Sequence, residues 1–178
     1  MQRIDRTFTE KMRLRFQKPD NPFRVVLVEP EIPLNTGSIA RLCAATGSRL
    51  VIAGNPSFSL NSADLKRAGV DYWEYVKFEQ YSSLDEYIKK NTESGIFLFS
   101  AKADKSYLEC DFKPGASLVF GKESTGLPDD IITKYKNRLF AIPTIENIRS
   151  INLSNAAAII IYEALRKTGF LNKVCLSE

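Results

Sequence analysis

Three features of the 178-residue sequence predict an α/β domain built on a parallel sheet. From Phe23 onward, short β-branched or apolar runs alternate with segments of helical spacing, as strands joined by crossover helices do. The runs Leu118–Gly121 and Ile96–Phe99 are apolar without alternation, which suits strands covered on both faces. The helical segment near the end, Leu153–Lys167, is apolar nearly all round in its first half and needs cover on several sides.

The elements follow in order. Residues 1–22 carry six Lys or Arg against three Asp or Glu and form a basic extension capable of phosphate contacts. Lys18-Pro19-Asp20-Asn21-Pro22 breaks any helix, so the folded domain is expected to span 23–178. Strands are predicted at Arg24–Glu29, Leu50–Ala53, Ile96–Ser100, Ser117–Gly121 and Leu139–Ile142, with a weaker sixth at Val76–Phe78. Helices are predicted at Thr36–Thr46, closed by Gly47, and at Leu84–Lys90 after the caps Ser82 and Ser83. A further helix spans Pro128–Lys134, opened by a helix-compatible proline, and the last is Leu153–Lys167. Its six-residue apolar run Ala156–Ile161 suits a core helix shared with a second subunit, so a homodimer is expected.

Composition excludes several kinds of chemistry. With no histidine, Ser-His-Asp and Cys-His catalysis, His-ligated zinc and imidazole acid–base work are all ruled out. Cys43, Cys110 and Cys175 form neither a disulfide framework nor a C-x-x-C pair, which points to the cytoplasm. The opening residues lack the apolar run of a secretory signal. No apolar stretch approaches the roughly twenty residues of a membrane helix, and no membrane association is expected.

Three segments carry more polar detail than folding requires, each where a strand yields to a loop, the usual ligand position in α/β proteins. In the first, Val28–Leu42, the strand enters a proline-stiffened loop and Asn35 is placed to cap the next helix. Arg41 projects roughly 150° from the centre of the apolar stripe formed by Ile39, Leu42, Cys43 and Thr46, so it faces outward. An outward Arg is ordinarily a solvated one; the neighbouring loop gives this one a possible function. In the second, Leu118–Pro128, two glycines and Glu123 follow a buried strand, and glycine permits close backbone approach. Leu127-Pro128 stands where a P-loop would have its Lys-Ser/Thr pair. The third runs from Ala141-Ile142-Pro143 to Arg149–Asn155. One of Ser150, Asn152, Ser154 and Asn155 would suffice as a cap, and four suggest a site using hydroxyls, amides and free N–H groups. No G-x-G-x-x-G follows the first strand, which argues against a Rossmann dehydrogenase.

Four ordered segments carry a family resemblance: EPEIPLNTGSIARLCAATG from Glu29, RAGVDY from Arg67, FGKESTGLP from Phe120 and IPTIENIRSINLSNAAAIIIYEALR from Ile142. Together they resemble the SPOUT methyltransferases, and above all the small single-domain branch that methylates the wobble ribose of tRNA. The likeness covers about residues 24 to 168 and leaves the basic extension without a family role.

The resemblance implies a C-terminal trefoil knot, S-adenosylmethionine as cofactor with no metal, and a homodimer whose active sites combine both subunits. It also implies the anticodon loop of tRNA as substrate and transfer to the 2'-hydroxyl of the wobble cytidine or uridine. By the same likeness Phe99, Gly121, Ile142, Ser150 and Leu153 surround the cofactor, with Glu123, Gly126 and Leu127 shaping the loop. Arg41 is the implied catalytic residue, oriented by Asn35, while Ser150 and Asn152 hold substrate or cofactor. A guanidinium stays protonated, so Arg41 is expected to fix an RNA phosphate and stabilise oxyanion charge; Glu123, Arg41 and a substrate phosphate remain open as proton acceptor. Tyr72, Trp73 and Tyr75 suit either local packing or base stacking. Another tRNA ribose or ribosomal RNA is the alternative target, and a non-catalytic RNA- or nucleotide-binding module the distant one.

Overall fold

A computed structural model describes residues 13–60, 73–91, 95–172 and 174–177. The RAGVDY segment, Tyr72 included, and residues 1–12 lie outside the described residues.

Six strands form one parallel sheet: β2 (Arg24–Val28), β3 (Arg49–Ala53), β4 (Lys77–Tyr81), β5 (Ile96–Phe99), β6 (Ser117–Phe120) and β7 (Leu139–Phe140). Their order is β4-β3-β2-β6-β5-β7, so the chain builds outward in one direction from β2 and in the other from β6. Two further strands, β1 (Arg13–Phe16) and β8 (Val174–Ser177), pair antiparallel in a separate ribbon that the sequence reading did not foresee. β4 lies at the edge of the sheet, and three of its residues, Lys77, Glu79 and Gln80, are polar. An edge strand is kept polar in this way, which makes it the faintest of the six in sequence.

The helices α1 (Pro33–Thr46), α2 (Leu84–Lys90), α3 (Asp129–Lys134) and α4 (Leu153–Lys167) cover both faces. Strand residues alternate between the two layers. Val25, Leu27, Leu50, Ile52, Leu118 and Phe120 pack against Ile39 and Cys43 of α1 and Ile160 and Ile161 of α4. Val26, Val28, Val51, Ala53 and Val119 face Tyr87 and Ile88 of α2 and Ile131 of α3. The bounds of α4 match the sequence reading, and Asn152 caps it by accepting from the N–H groups of Ser154 and Asn155.

One expectation needs correction. Asn35 does not cap α1: the helix begins at Pro33, three residues earlier than expected, Ile32 occupies the cap position without a side-chain bond, and Asn35 is buried in the first turn. Proline fits that first turn because it lacks the N–H that would go unpaired. Helix α4 is covered on several sides but not all round within one protomer. Ala157, Ile160, Ile161, Ala164 and Leu165 are buried, but Ile159 is 38% and Tyr162 45% exposed. Among the described residues no helix is long and apolar enough to cross a membrane.

The α2 layer is pinned by a buried hydrogen bond of 2.6 Å between the hydroxyls of Tyr87 and Ser117. Burial pushes the Tyr87 phenol up to about 12. Tyr87→Phe would leave the Ser117 hydroxyl buried and unpaired, and is expected to cost about 1–3 kcal/mol of stability in a urea unfolding curve, with an unchanged m-value.

Candidate functional site

The strand order reverses between β2 and β6, and at such a switch point the loops leaving the carboxyl ends of the strands part to leave a crevice. A cavity of about 530 Å³ lies there, within the range of small-molecule sites. It is lined by the loop after β5, the loop after β6, the first turn of α1 and the segment running from Ile142 into α4. Apolar wall comes from Phe99 and Phe120, whose rings stack with centroids 5.2 Å apart, and from Ile142, Leu153 and Ala156. Polar wall comes from Asn35, Ser150, Asn152 and the backbone of the 121–126 loop.

Side-chain hydrogen bonds fasten these segments together. The Glu123 carboxylate accepts from the backbone N–H of Glu31 at 2.9 Å, from that of Ile32 at 3.2 Å and from Asn35 Nδ2 at 3.0 Å. Glu31 answers in the opposite direction, accepting from Ser124 N at 2.9 Å and Ser124 Oγ at 2.8 Å. Lys122 Nζ reaches Glu29 Oε2 at 2.6 Å. Glu29 itself takes a left-handed backbone, φ 44°, and Gly54 makes room for it, since a Cβ there would stand 2.5 Å from Glu29 Cγ. Asn35 Oδ1 then accepts from Asn152 Nδ2 at 3.0 Å, and Asn152 Oδ1 caps α4. An unbroken chain of bonds thus runs from the β6 loop through α1 to α4.

The two glycines of the β6 loop serve different ends. A Cβ on Gly121 would lie 2.1 Å from the carbonyl carbon of Gly126 and 2.3 Å from Leu127 N. The loop therefore folds back onto Gly121, closed by the paired bonds Lys122 N to Gly126 O and Gly126 N to Lys122 O. Its close approach is to its own chain. Gly126 has φ 74°, and a Cβ there would meet nothing within 4 Å, so glycine is needed for the turn and the position stays open toward the cavity it lines.

Of the residues singled out in the sequence, Asn35, Phe99, Gly121, Glu123, Gly126, Ile142, Ser150, Asn152 and Leu153 line this one cavity. Leu127 stands behind it, 2% exposed among the core residues of the α2–α3 layer. Arg41 is not in the lining. It is exposed, two turns beyond Asn35 on the outer side of α1, while the Asn35 amide is engaged by Glu123 and Asn152. Glu29, Glu31, Lys122 and Ser124 escaped the sequence reading as fasteners, and Lys102 and Arg149 as lining residues. Arg149 sits in the same polar cluster as Ser150 and could have been found; the fasteners act over about ninety residues and leave no local signal.

A parallel sheet whose switch-point crevice is walled by rings and aliphatic side chains on one side and amides and hydroxyls on another defines an α/β protein that binds a small organic ligand at its strand ends. Comparison with known proteins sharpens this. The sequence profile of the SpoU rRNA methylase family matches residues 22–162, and the chain belongs to that family. It is 42% identical over 149 residues to the tRNA (cytidine(34)-2'-O)-methyltransferase of Saccharophagus degradans, covering 83% of this chain and 97% of the relative. It is 38% identical over 151 residues to the protein of the same name from Burkholderia ambifaria, again with 83% and 97% covered. A solved structure described for the 2'-OH methylation of C/U34 on tRNA superposes with TM-score 0.78 at 36% identity, covering 83% of this chain and 96% of that one. At 24% identity, the SpoU methyltransferase AviRb of Streptomyces viridochromogenes shares the fold, with TM-score 0.71 over 83% of this chain and 60% of its own.

Two measurements test the geometry. Gly121→Ala forces backbone against backbone, so the 122–126 turn is expected to open, with faster amide exchange at Lys122 and Gly126 than in the parent. The bonds from Ser124 hold the Glu31 carboxyl below the usual carboxylate range. Because the folded value is depressed, the associated stability is present above the ordinary range and lost as pH falls through the folded value. In an NMR titration Ser124→Ala is expected to move the Glu31 midpoint upward.

Proposed function

We propose that this protein transfers a methyl group from S-adenosylmethionine to the ribose 2'-hydroxyl of nucleotide 34 of tRNA, cytidine or uridine. The observation that carries this reading is the convergence of the three polar segments on one cavity at the switch point. The two relatives at 38–42% identity bear the name of that activity. They favour a tRNA target over the rRNA in the family's description.

The cavity fits the cofactor by size and by wall chemistry. Phe99, Ile142, Leu153 and Ala156 offer apolar surface for a purine ring, and Ser150 with the 121–126 backbone offers partners for polar atoms. Glu123 holds the surrounding loops in place and Leu127 supports them from behind. When bound, S-adenosylmethionine supplies an electrophilic methyl on a sulfonium. The protein's task is to align the ribose oxygen in line and to exclude competing nucleophiles. Ser150 and Asn152 line the cavity; Ser150 offers its hydroxyl to a sugar, while Asn152, engaged by Asn35 and the α4 cap, fixes the wall beside it. The Glu123 carboxylate already accepts three hydrogen bonds, so it acts as a holder, and the hydroxyl proton leaves toward water or a phosphate oxygen of the RNA.

Arg41 enters through a second copy of the chain. Leu34, Ser38, Arg41 and Ala45 form the exposed stripe of α1, with Leu34 61% exposed. α1 packs on α4, which carries the open Ile159 and Tyr162. A homodimer through this apolar face covers these side chains and presents Arg41 to the partner's cavity, where it clamps an RNA phosphate and stabilises charge developing on the oxygen. The trefoil knot belongs to the same reading. It is supported by the path of the chain after β7, which pairs Ala141 with Ser106 and then meets α1 through Asn152. Buried, unpaired Cys43 and Cys110 suit a cytoplasmic enzyme.

Incubation with labelled S-adenosylmethionine and total tRNA, followed by mapping of the labelled nucleotide, is expected to place the label on the 2'-oxygen of nucleotide 34; label elsewhere, or none, overturns the reading. Arg41→Ala is expected to lower kcat by about 10²-fold or more while calorimetric affinity for S-adenosylmethionine stays within about twofold.

A further inference from the structure

The β1–β8 ribbon belongs to no part of the site. The family profile covers residues 22–162, so both strands fall outside it. The Saccharophagus relative is 97% used up by the 149 aligned residues, which leaves it only a few residues with which to build such a ribbon. Here the two extensions find each other, with Arg13 opposite Ser177, Leu14 opposite Leu176, Arg15 opposite Cys175 and Phe16 opposite Val174.

The ribbon is anchored. Phe16 packs against the core cluster of the α1–α4 layer, and Pro19 behind it is buried. The Lys18 stem lies over Gly47 at the end of α1, its Cγ 3.1 Å from where a Cβ would stand. Leu14, Arg15, Gln17, Lys18 and Cys175 are exposed, and the charged groups among them are cationic. From Arg13 to Lys18 the sequence holds three basic residues and no acid, and Arg15 and Lys18 are exposed. With four paired residues per strand and arginines along its length, the ribbon is a poor template for adding a protein strand. Two exposed cations, Arg15 on the ribbon and Lys18 just after it, on an anchored element instead match a polyanion.

Its place in the molecule says which part of the polyanion it meets. Helix α1 runs from the cavity at Asn35 to Gly47, against which the Lys18 stem lies, twelve residues or about 18 Å at 1.5 Å per residue. The ribbon is therefore too distant to touch the reacting nucleotide in its own protomer's cavity.

We propose that the terminal ribbon is a second RNA-contacting surface, in which Arg15 and Lys18 hold backbone phosphates of the tRNA outside the anticodon loop. This rests on the reading that tRNA is the substrate. The surface adds affinity without base specificity, because phosphates carry no sequence information. It leaves the transfer step untouched.

The test compares the intact protein with its Arg15→Gln, Lys18→Gln variant on full-length tRNA and on an isolated anticodon stem-loop. Both substitutions are at exposed side chains, and an unchanged melting temperature and elution volume establish that fold and assembly are intact. The expected result is a KM for full-length tRNA raised about three- to tenfold with kcat unchanged, and a log K against log salt slope shallower by about 1 to 2. The stem-loop is expected to behave alike with both proteins. Equal KM and equal salt slope on full-length tRNA overturn the proposal, as does an elution shift to a smaller species, which would make the ribbon a contact between protein chains. Direct tRNA binding is measured alongside turnover. Absence of methyl transfer by the parent protein would then refute the assigned activity, while the difference in tRNA affinity would still decide the role of the ribbon.

Discussion

The Glu123 carboxylate organises this molecule. It accepts from two successive backbone N–H groups at the entry to α1 and from the Asn35 amide, where a negative charge is favoured by the helix dipole and by groups that would otherwise lack partners. Asn35, fixed in this way, presents its oxygen to Asn152, and Asn152 in turn caps α4. One ionised side chain on the β6 loop therefore sets the start of both helices in the α1–α4 layer. The cavity is the space enclosed when those starts are held at a fixed distance from the 121–126 turn. The Glu31 to Ser124 bonds and the Lys122 to Glu29 pair close the same seam from its other side, so α1 cannot shift without breaking bonds to two loops.

Legibility in the sequence followed the range of the forces involved. Strands buried on both faces declare themselves through local composition: β2, β5 and β6 appear where apolar runs predict them. α4 is bounded correctly because Asn152 caps it within its own segment. The cavity lining was largely legible too, since each polar segment lies at a strand exit and the parallel topology gathers those exits on one edge of the sheet. Three things were not. The N–H groups at the entry to α1 are met by a residue about ninety positions away, which a local reading that looks to Asn35 does not reach. β4 is an edge strand whose polar residues show only its start, so the sequence places it at Val76–Phe78 and the structure carries it on to Tyr81. The β1–β8 ribbon joins the two ends of the described chain, and four-residue strands carry too little pattern to announce a partner more than 150 positions distant.

The same distinction separates the two readings of Arg41. A helical wheel shows that it faces away from the core, and the structure agrees. What a wheel cannot show is that its exposed stripe begins with Leu34 and adjoins a helix bearing the open Ile159 and Tyr162. Apolar side chains left exposed on two packed helices are costly in water, and the proposed dimer contact rests on them. Within the protomer, α4 leaves Ile159 and Tyr162 partly open. Ile160 and Ile161 do no more than complete the core.

Charge around the cavity obeys a further constraint. The cavity wall carries three cationic side chains, Lys102, Lys122 and Arg149. The two lysines are paired within the protein, Lys122 with Glu29 at 2.6 Å and Lys102 with Asp129 at 2.7 Å, whereas Arg149 has no ion pair among the described residues. The bond to Glu29 raises the Lys122 pKa and so keeps its charge where the carboxylate can balance it. Electrostatic interactions strengthen as water is excluded, so the half-buried Lys122 is held by a carboxylate while the unpaired Arg149 stays exposed to solvent.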